Sequence, residues 1–252
     1  RTLEIPSYPA APRAALIAPV LLDFCQVNRI STAFLSTFAA PISPPDCWPC
    51  WSTAVSRSEY IIHLDKDHRA CFSKPHLRNI NKAQKAGVVL DIGSSSEHCA
   101  QHLALCRRAA ERRVDGSKQL EPVLTAGDFM PFVAEKAGIF VRAVQGSEVL
   151  ASAFLLLAPK GAYYYSAGGS DEGRSLGAAH FLIARCADYL KERGCVTFNL
   201  GGTTANQQGL ARFKKEFGGQ EIALKLITLH FPSPLNLLKN GMQSLAEKAF
   251  GF

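Results

Sequence analysis

The segment GLARFKKEFGG, residues 209–219, sets three cations, two aromatic rings and one acid close together in the eight residues from Arg212 to Gly219. Such a block is either the solvated end of a helix or the wall of a site that handles negative charge. Earlier in the chain, GRSLGAAHFL carries the pattern R-x-x-G-x-A on Arg174, Gly177 and Ala179, at the start of an apolar helical run. The chemistry such a turn supports is anion binding. The first backbone N–H groups of a helix have no intrahelical partner, and the helix dipole favours negative charge there. Glycine and alanine let a pyrophosphate approach the backbone, and arginine adds a forked donor.

A short pattern gains weight from the elements around it. From Gly138 the chain reads GIFVRAVQ, EVLASAFLLLA and AYYYSAG, three strands joined by tight turns, which predicts an antiparallel meander. A long helix follows over about Leu176–Arg193, stopped by Gly194. CVTFNL is the next strand, GGTTANQQ a polar turn, Gln207–Phe217 a helix, and EIALKLITLHF a last strand. The order is β-β-β-α-β-α-β. Upstream, SEYIIHL and VVLDIG read as strands flanking a basic helix whose clearest part is LRNINKAQKAG. Helices are expected over Glu97–Arg113 and Ala126–Ala137, and around Pro19–Asn28, with STAFLSTF as a strand. The expected fold is α/β (α+β), a mixed and mostly antiparallel sheet with flanking helices.

This order, with R-x-x-G-x-A at the turn into the long helix, resembles the acyltransferase fold of the GCN5-related N-acetyltransferase (GNAT) superfamily. The resemblance implies that the turn holds an acyl-CoA pyrophosphate. It also implies that AYYYSAG and CVTFNL splay apart to expose backbone donors to the acyl carbonyl. A second resemblance is more specific. LRNINKAQKAG, FNLGG and GLARFKKEFGG, in that order, are similar to blocks of the Fem family. These are non-ribosomal peptidyltransferases that move amino acids from aminoacyl-tRNA to peptidoglycan precursors, built from paired GNAT-like lobes. The match runs from about Ser58 to Leu229, with the first lobe shortened.

The Fem resemblance implies site residues. Phe213 and Lys214 would line the catalytic channel, where a lysine ammonium suits an oxyanion formed as an amine attacks directly, without a covalent intermediate. Arg78, in LRNINKAQ, would bind a phosphate of tRNA or of a nucleotide-linked acceptor. Asn199 stands where the family often carries Asp; an amide cannot act as a base, so the base is lost or water-relayed. The catalytic candidates are thus Lys214 and Asn199, and the donor-binding candidates Arg174, Gly177, Ala179, Phe213 and Tyr165. Lys215, Lys82 and Lys85 read as solvated charges, Glu216 as a solvent-facing acid and His180 as structural. Tyr163 and Tyr165 fall on one strand face and Tyr164 on the other.

Composition sets the outer limits. The 252 residues suffice for one large domain or two small lobes; the expected division is 1–115, 116–232 and a helical tail over 233–252. No run of about 18 apolar residues occurs, so no transmembrane helix is expected. AALIAPVLL reads as core rather than a signal segment. A net charge of +7 favours polyanionic partners. Of eight cysteines only Cys47 and Cys50, in CWPC, have metal- or redox-like spacing, and no second pair completes a zinc site. The rest read as buried thiols of a cytoplasmic protein. The tail segment NLLKNGMQSLAEKAF has one apolar face, for packing or, as the sharper reading, for weak membrane-surface contact.

The sequence-level expectation is an N-acyltransferase with no tightly bound cofactor and no metal. GLARFKKEFGG favours aminoacyl-tRNA as the donor, and R-x-x-G-x-A favours acyl-CoA. The acceptor would be an amine, on a peptidoglycan precursor or another small molecule. A non-catalytic GNAT-like lobe in cell-envelope or polysaccharide assembly is the reading from a different class.

Overall fold

The computed structural model describes residues 2–5, 13–35, 52–112 and 123–230. CWPC and the tail after 232 lie outside them. In chain order the elements are β1 (Thr2–Ile5), α1 (Arg13–Val27), β2 (Thr32–Leu35), β3 (Ser52–His63), α2 (Lys74–Lys85), β4 (Val89–Gly93), α3 (Ser96–Glu111), α4 (Met130–Ala134), β5 (Gly138–Gln145), β6 (Glu148–Ala158), β7 (Gly161–Gly169), α5 (Asp171–Leu176), α6 (Ala178–Glu192), β8 (Thr197–Thr204), α7 (Gln208–Lys215) and β9 (Gln220–His230).

The chain divides into two compact units. One is residues 59–221, and the other holds the described residues before and after it. In the second, β1 runs parallel to β2 and β2 antiparallel to β9. The division expected at 115 falls inside the unit 59–221, because β4 pairs antiparallel with β5 across it, Val89 opposite Val144 and Gly93 opposite Phe140. A strand cannot leave its ladder without stranding backbone donors and acceptors, so this pairing binds both sides into one body.

Within residues 59–221 the strand order is β3-β8-β7-β6-β5-β4. The meander β5-β6-β7 is antiparallel throughout, and β8 joins β7 in parallel. Strand alternation sorts side chains to two faces. Val141, Ala143, Ala151, Ala153 and Leu155 meet the large cluster that includes Phe181, Leu182, Ile183, Cys186 and Leu190 of α6. The intervening residues Phe140 and Phe154 pack with Cys99 of α3 and with Phe129. Fully burying each such Leu, Ile or Phe contributes about 1.5–3 kcal/mol. The helix expected over 176–193 is α6, and a second, shorter helix, α5, precedes it. Asp171 and Glu172 open α5 behind the N-cap Ser170, whose hydroxyl accepts from Gly173 N–H, and Gly177 at φ +78 ends it before α6 begins.

Asp188 of α6 ties that helix to the turn at 68–71. Its carboxylate accepts from Arg69 Nε at 2.9 Å, from a second guanidinium nitrogen, and from His68 Nε2 at 3.1 Å. Burial raises this carboxyl, but the hydrogen bonds and charge of Arg69, the His68 hydrogen bond and the charge of Arg185 together outweigh burial and hold it below the ordinary range. A depressed carboxyl stabilises the fold above its unfolded value and loses that effect as pH falls through the folded one. Asp188→Asn is therefore expected to cost about 1–3 kcal/mol at neutral pH. Urea melts should show the gap from the parent chain closing below about pH 4.

Candidate functional site

β7 and β8 are paired only at Gly161–Thr197, Ala162–Phe198 and Tyr163–Asn199. Beyond that pair the two strands part, and a cleft of about 410 Å³ opens between them. Its walls include Tyr163, Tyr164 and Tyr165 of β7, Leu200, Gly201 and Gly202 of β8, Leu103, Cys106 and Arg107 of α3, and Leu210 and Lys214 of α7. All three tyrosines reach the opening, and β7 is bulged beside it: Phe154 faces Ser166 and Leu155 faces Tyr164, leaving Tyr165 without an opposite residue. The three rings alternate as expected: Tyr164 packs with the cluster against α6, whereas Tyr165 meets Phe129 and Phe154, and Tyr163 stands opposite Leu156, on the other face. Burial pushes the Tyr164 hydroxyl far above the usual phenol range.

Two side chains bond the β8 backbone where β7 has withdrawn. Asn199 Oδ1 accepts from Gly201 N–H at 2.8 Å, and Lys214 Nζ donates to the Gly202 carbonyl at 2.8 Å. Gly201 has φ +78, and a Cβ there would stand 3.2 Å from the Tyr164 carbonyl oxygen. Only glycine meets both demands without strain. Lys214 is 7% exposed, with its ammonium 6.0 Å from the centre of the Tyr60 ring.

Asn199 stands beside the cleft, not in its wall. Its Nδ2 donates at 2.8 Å to Oε2 of Glu59, which is fully buried. The carboxylate that sequence reading found missing from position 199 is thus present on the neighbouring strand β3. Its sequence signal was one acid in the apolar strand SEYIIHL. Glu216 faces the other way: it pairs with Arg212 Nε at 2.7 Å and with His76 Nδ1 at 3.1 Å. It is half-buried in this network rather than solvent-facing. Lys215 pairs with Glu221 at 2.7 Å.

α7 has two functional faces. Leu210 and Lys214, one turn apart, face the cleft. Phe213 turns away and packs against His76, His180 and Phe217, at ring separations of 5.2, 5.1 and 5.2 Å. His76 Nε2–H donates to the Phe213 carbonyl at 3.0 Å. Burial lowers the His76 imidazole, against the opposing pull of that carbonyl and Glu216. Burial, then His76, pushes His180 down to about 4. Phe213 thus anchors the helix from which Lys214 projects.

The R-x-x-G-x-A residues are divided between two surroundings. Arg174 is exposed on α5, 3.9 Å from Asp171, and lines a second cavity of about 420 Å³ with Arg112, Gly168, Gly169 and Ala179. Gly177 lies elsewhere: a Cβ there would sit 2.8 Å from the Asn79 carbonyl oxygen, so α2 covers that side of the turn. Arg78 shares an open groove of about 620 Å³ with Lys74, Leu77, Asn81, Lys82 and Lys85. Lys82 also donates to the Ser175 carbonyl at 2.7 Å. Sequence reading missed Glu59, Arg107, Cys106 and Ser166. For Cys106 and Arg107 the available signal was helical spacing, since Leu103, Cys106, Arg107 and Ala110 share one face of α3. Cys71, expected buried, is exposed, and Cys106 is half-buried at the cleft.

Residues 135–231 match the FemAB family. No curated protein matches the chain. Among solved structures it is similar to FemX, at 14% identity and TM-score 0.63 over 89% of this chain and 78% of that one. It is similar also to L-PGS from Bacillus licheniformis, at 15% identity and TM-score 0.58 over 94% and 80%. A tandem GNAT protein from the clavulanic acid biosynthesis pathway aligns at 12% identity and TM-score 0.53, over 87% and 70%. At such identities the likeness is one of fold. The chain has a Fem-like GNAT fold, and the blocks FNLGG and GLARFKKEFGG fall within the matched residues. No helix among the described residues is long and apolar enough to cross a membrane.

The Glu59–Asn199 pair yields a test of the cleft's support. Asn199→Asp sets two buried carboxyls 2.8 Å apart in place of an amide and a carboxylate. One must keep its proton, so its folded value rises. A raised carboxyl stabilises below its unfolded value and loses that effect as pH rises through the folded one. The variant is expected to be about 1–3 kcal/mol less stable than the parent at pH 8 and to approach it near pH 4. Equal stability at pH 8 would show that the two side chains do not meet.

Proposed function

We propose that the protein is an N-acyltransferase that moves an aminoacyl group from aminoacyl-tRNA to an amine, in the cleft where β7 and β8 part. The observation that carries this reading is Lys214, buried at the cleft with its ammonium beside the parted strands. Attack on an ester carbonyl turns its oxygen into an oxyanion. A cation fixed in a site poor in water stabilises that charge more than it stabilises the uncharged ester, and this difference accelerates the reaction. Positioning the two reactants supplies much of the remaining rate.

The tRNA donor is favoured by the groove of Arg78, Lys74, Lys82 and Lys85, which offers a row of cations to a phosphate backbone. It is favoured also by Gly177, whose open side faces α2 and leaves little room for a pyrophosphate at that glycine. A charged tRNA places the reaction in the cytoplasm, and an amine of a peptidoglycan precursor is the acceptor that fits the Fem-like fold. One observation favours a second reading. The cavity of Arg112 and Arg174 beside Gly168 and Gly169 could hold the phosphates of an acyl-CoA.

Calorimetry separates the donors. Binding of a charged tRNA pool that weakens steeply with salt is expected, with Arg78→Ala reducing the slope of log K against log salt by about one. Tight binding of acetyl-CoA, lost in Arg174→Ala, would replace the tRNA reading. In transfer from charged tRNA, Lys214→Ala is expected to reduce the rate constant about 100- to 1,000-fold. Lys215→Ala, altering a lysine paired with Glu221, should leave it unchanged. Silence toward both donors would make this a non-catalytic lobe.

A further inference from the structure

His102 and Cys106 lie one turn apart on the face of α3 that meets β6 and β7. His102 is fully buried, with Phe129 at 5.1 Å and Phe140 at 5.5 Å between ring centres. An imidazole in such surroundings is costly unless both nitrogens are bonded. Both are: Nδ1 lies 3.1 Å from Ser152 Oγ, and Nε2 lies 2.8 Å from Ser166 Oγ. The same Nε2 is 3.4 Å from Cys106 Sγ. Ser152 is fully buried, whereas Cys106 and Ser166 line the cleft that Lys214 also lines. Burial pushes His102 down to about 4, so it is uncharged at neutral pH and one ring nitrogen carries a lone pair. With Nδ1–H donating to Ser152 Oγ, that lone pair is on Nε2, facing a thiol and a hydroxyl that can each donate to it.

A base with an orienting serine behind it and a nucleophile before it has the arrangement of nucleophilic catalysis. Of the two groups at Nε2, sulfur is the stronger nucleophile and gives up its proton more readily. We propose that Cys106 is an acyl-accepting thiol, with His102 as its base and Ser152 as a positioning residue. Its sulfur attacks the donor's acyl carbonyl, and a C–S bond forms as the bond to the leaving oxygen breaks. The thiol proton passes to His102 Nε2, and the Ser166 hydroxyl, 2.8 Å from that nitrogen and in the cleft wall, relays it to the leaving oxygen. The amine acceptor then displaces the sulfur, and its proton returns through His102 to Cys106. Two displacements thus stand in place of the direct attack expected from sequence. This inference rests on the reading of the cleft as the acyl-transfer site.

The full-length protein is incubated with p-nitrophenyl acetate, an activated ester, and each cysteine's acetylation is followed by peptide mass mapping. Cys106 is expected to be acetylated in preference to Cys71, which is exposed at the surface. Its rate should fall about 100-fold in His102→Gln and markedly in Ser152→Ala, the milder variant should His102→Gln fail to fold. Acetylation of Cys106 no faster than of Cys71, or a Cys106 rate unmoved in Ser152→Ala and His102→Gln, would overturn the proposal. Transfer from charged tRNA separates it from the reading beneath it. Loss of transfer in both Cys106→Ala and Lys214→Ala supports both. Loss in Lys214→Ala alone leaves the cleft reading standing and removes the thiol. Full transfer in both variants removes both.

Discussion

The site depends on the parting of β7 and β8 after Tyr163 and Asn199. A parallel pair normally continues until one strand ends, because every backbone group that leaves the ladder needs another partner. Here the strands separate while both continue, β7 to Gly169 and β8 to Thr204. Side chains supply bonds at the fork, Asn199 to the Gly201 N–H and Lys214 to the Gly202 carbonyl. Lys214 therefore has a structural duty beside the chemical one proposed for it. The two are compatible, because an ammonium carries three N–H donors.

Holding a lysine at a fork requires the helix that bears it to be fixed from behind. α7 spans eight residues and would not persist alone in water. Its other face supplies the anchorage. Phe213 sits among His76, His180 and Phe217, and the Phe213 carbonyl takes the His76 proton. Glu216 then joins α7 to α2 through His76 and Ser73. The aromatic and the lysine that stand side by side in GLARFKKEFGG thus point in different directions. Phe213 matters to the cleft by aiming Lys214, not by touching what enters.

Much of this was legible in the sequence. Alternation and turn chemistry identified the meander, and the order of strands and helices carried the fold. What escaped was long-range. Glu59 and Asn199 are 140 positions apart, and no local pattern announces that one carboxylate serves the other. Alternation assigns the three tyrosine faces correctly, but the bulge at Tyr165, which puts Ser166 on that same face beside His102, has no local signal. Cys106 read as one more apolar cysteine, because a helix reveals its spacing but not which neighbour its polar face will meet. α5 went unread although Ser170 before two acids is a helix-opening signal.

Gly177 shows how one residue type can answer two different demands. In R-x-x-G-x-A, a glycine suggests a backbone left bare for phosphate. At this position the backbone is left-handed, and its open side meets Asn79 of α2. Either fact alone requires glycine, with no ligand involved. The motif's other members remain accessible, Arg174 on the surface and Ala179 in the second cavity. A pyrophosphate would therefore have to be held by arginines and the Gly168–Gly169 edge rather than by the turn itself. A bulky polyanion bound along α2 makes no such demand, since the cations of that groove lie on the outer face of a helix whose inner face packs on α6. The glycine that first suggested acyl-CoA is thus accounted for by helix packing, and the choice between donors passes to the charged surfaces around it.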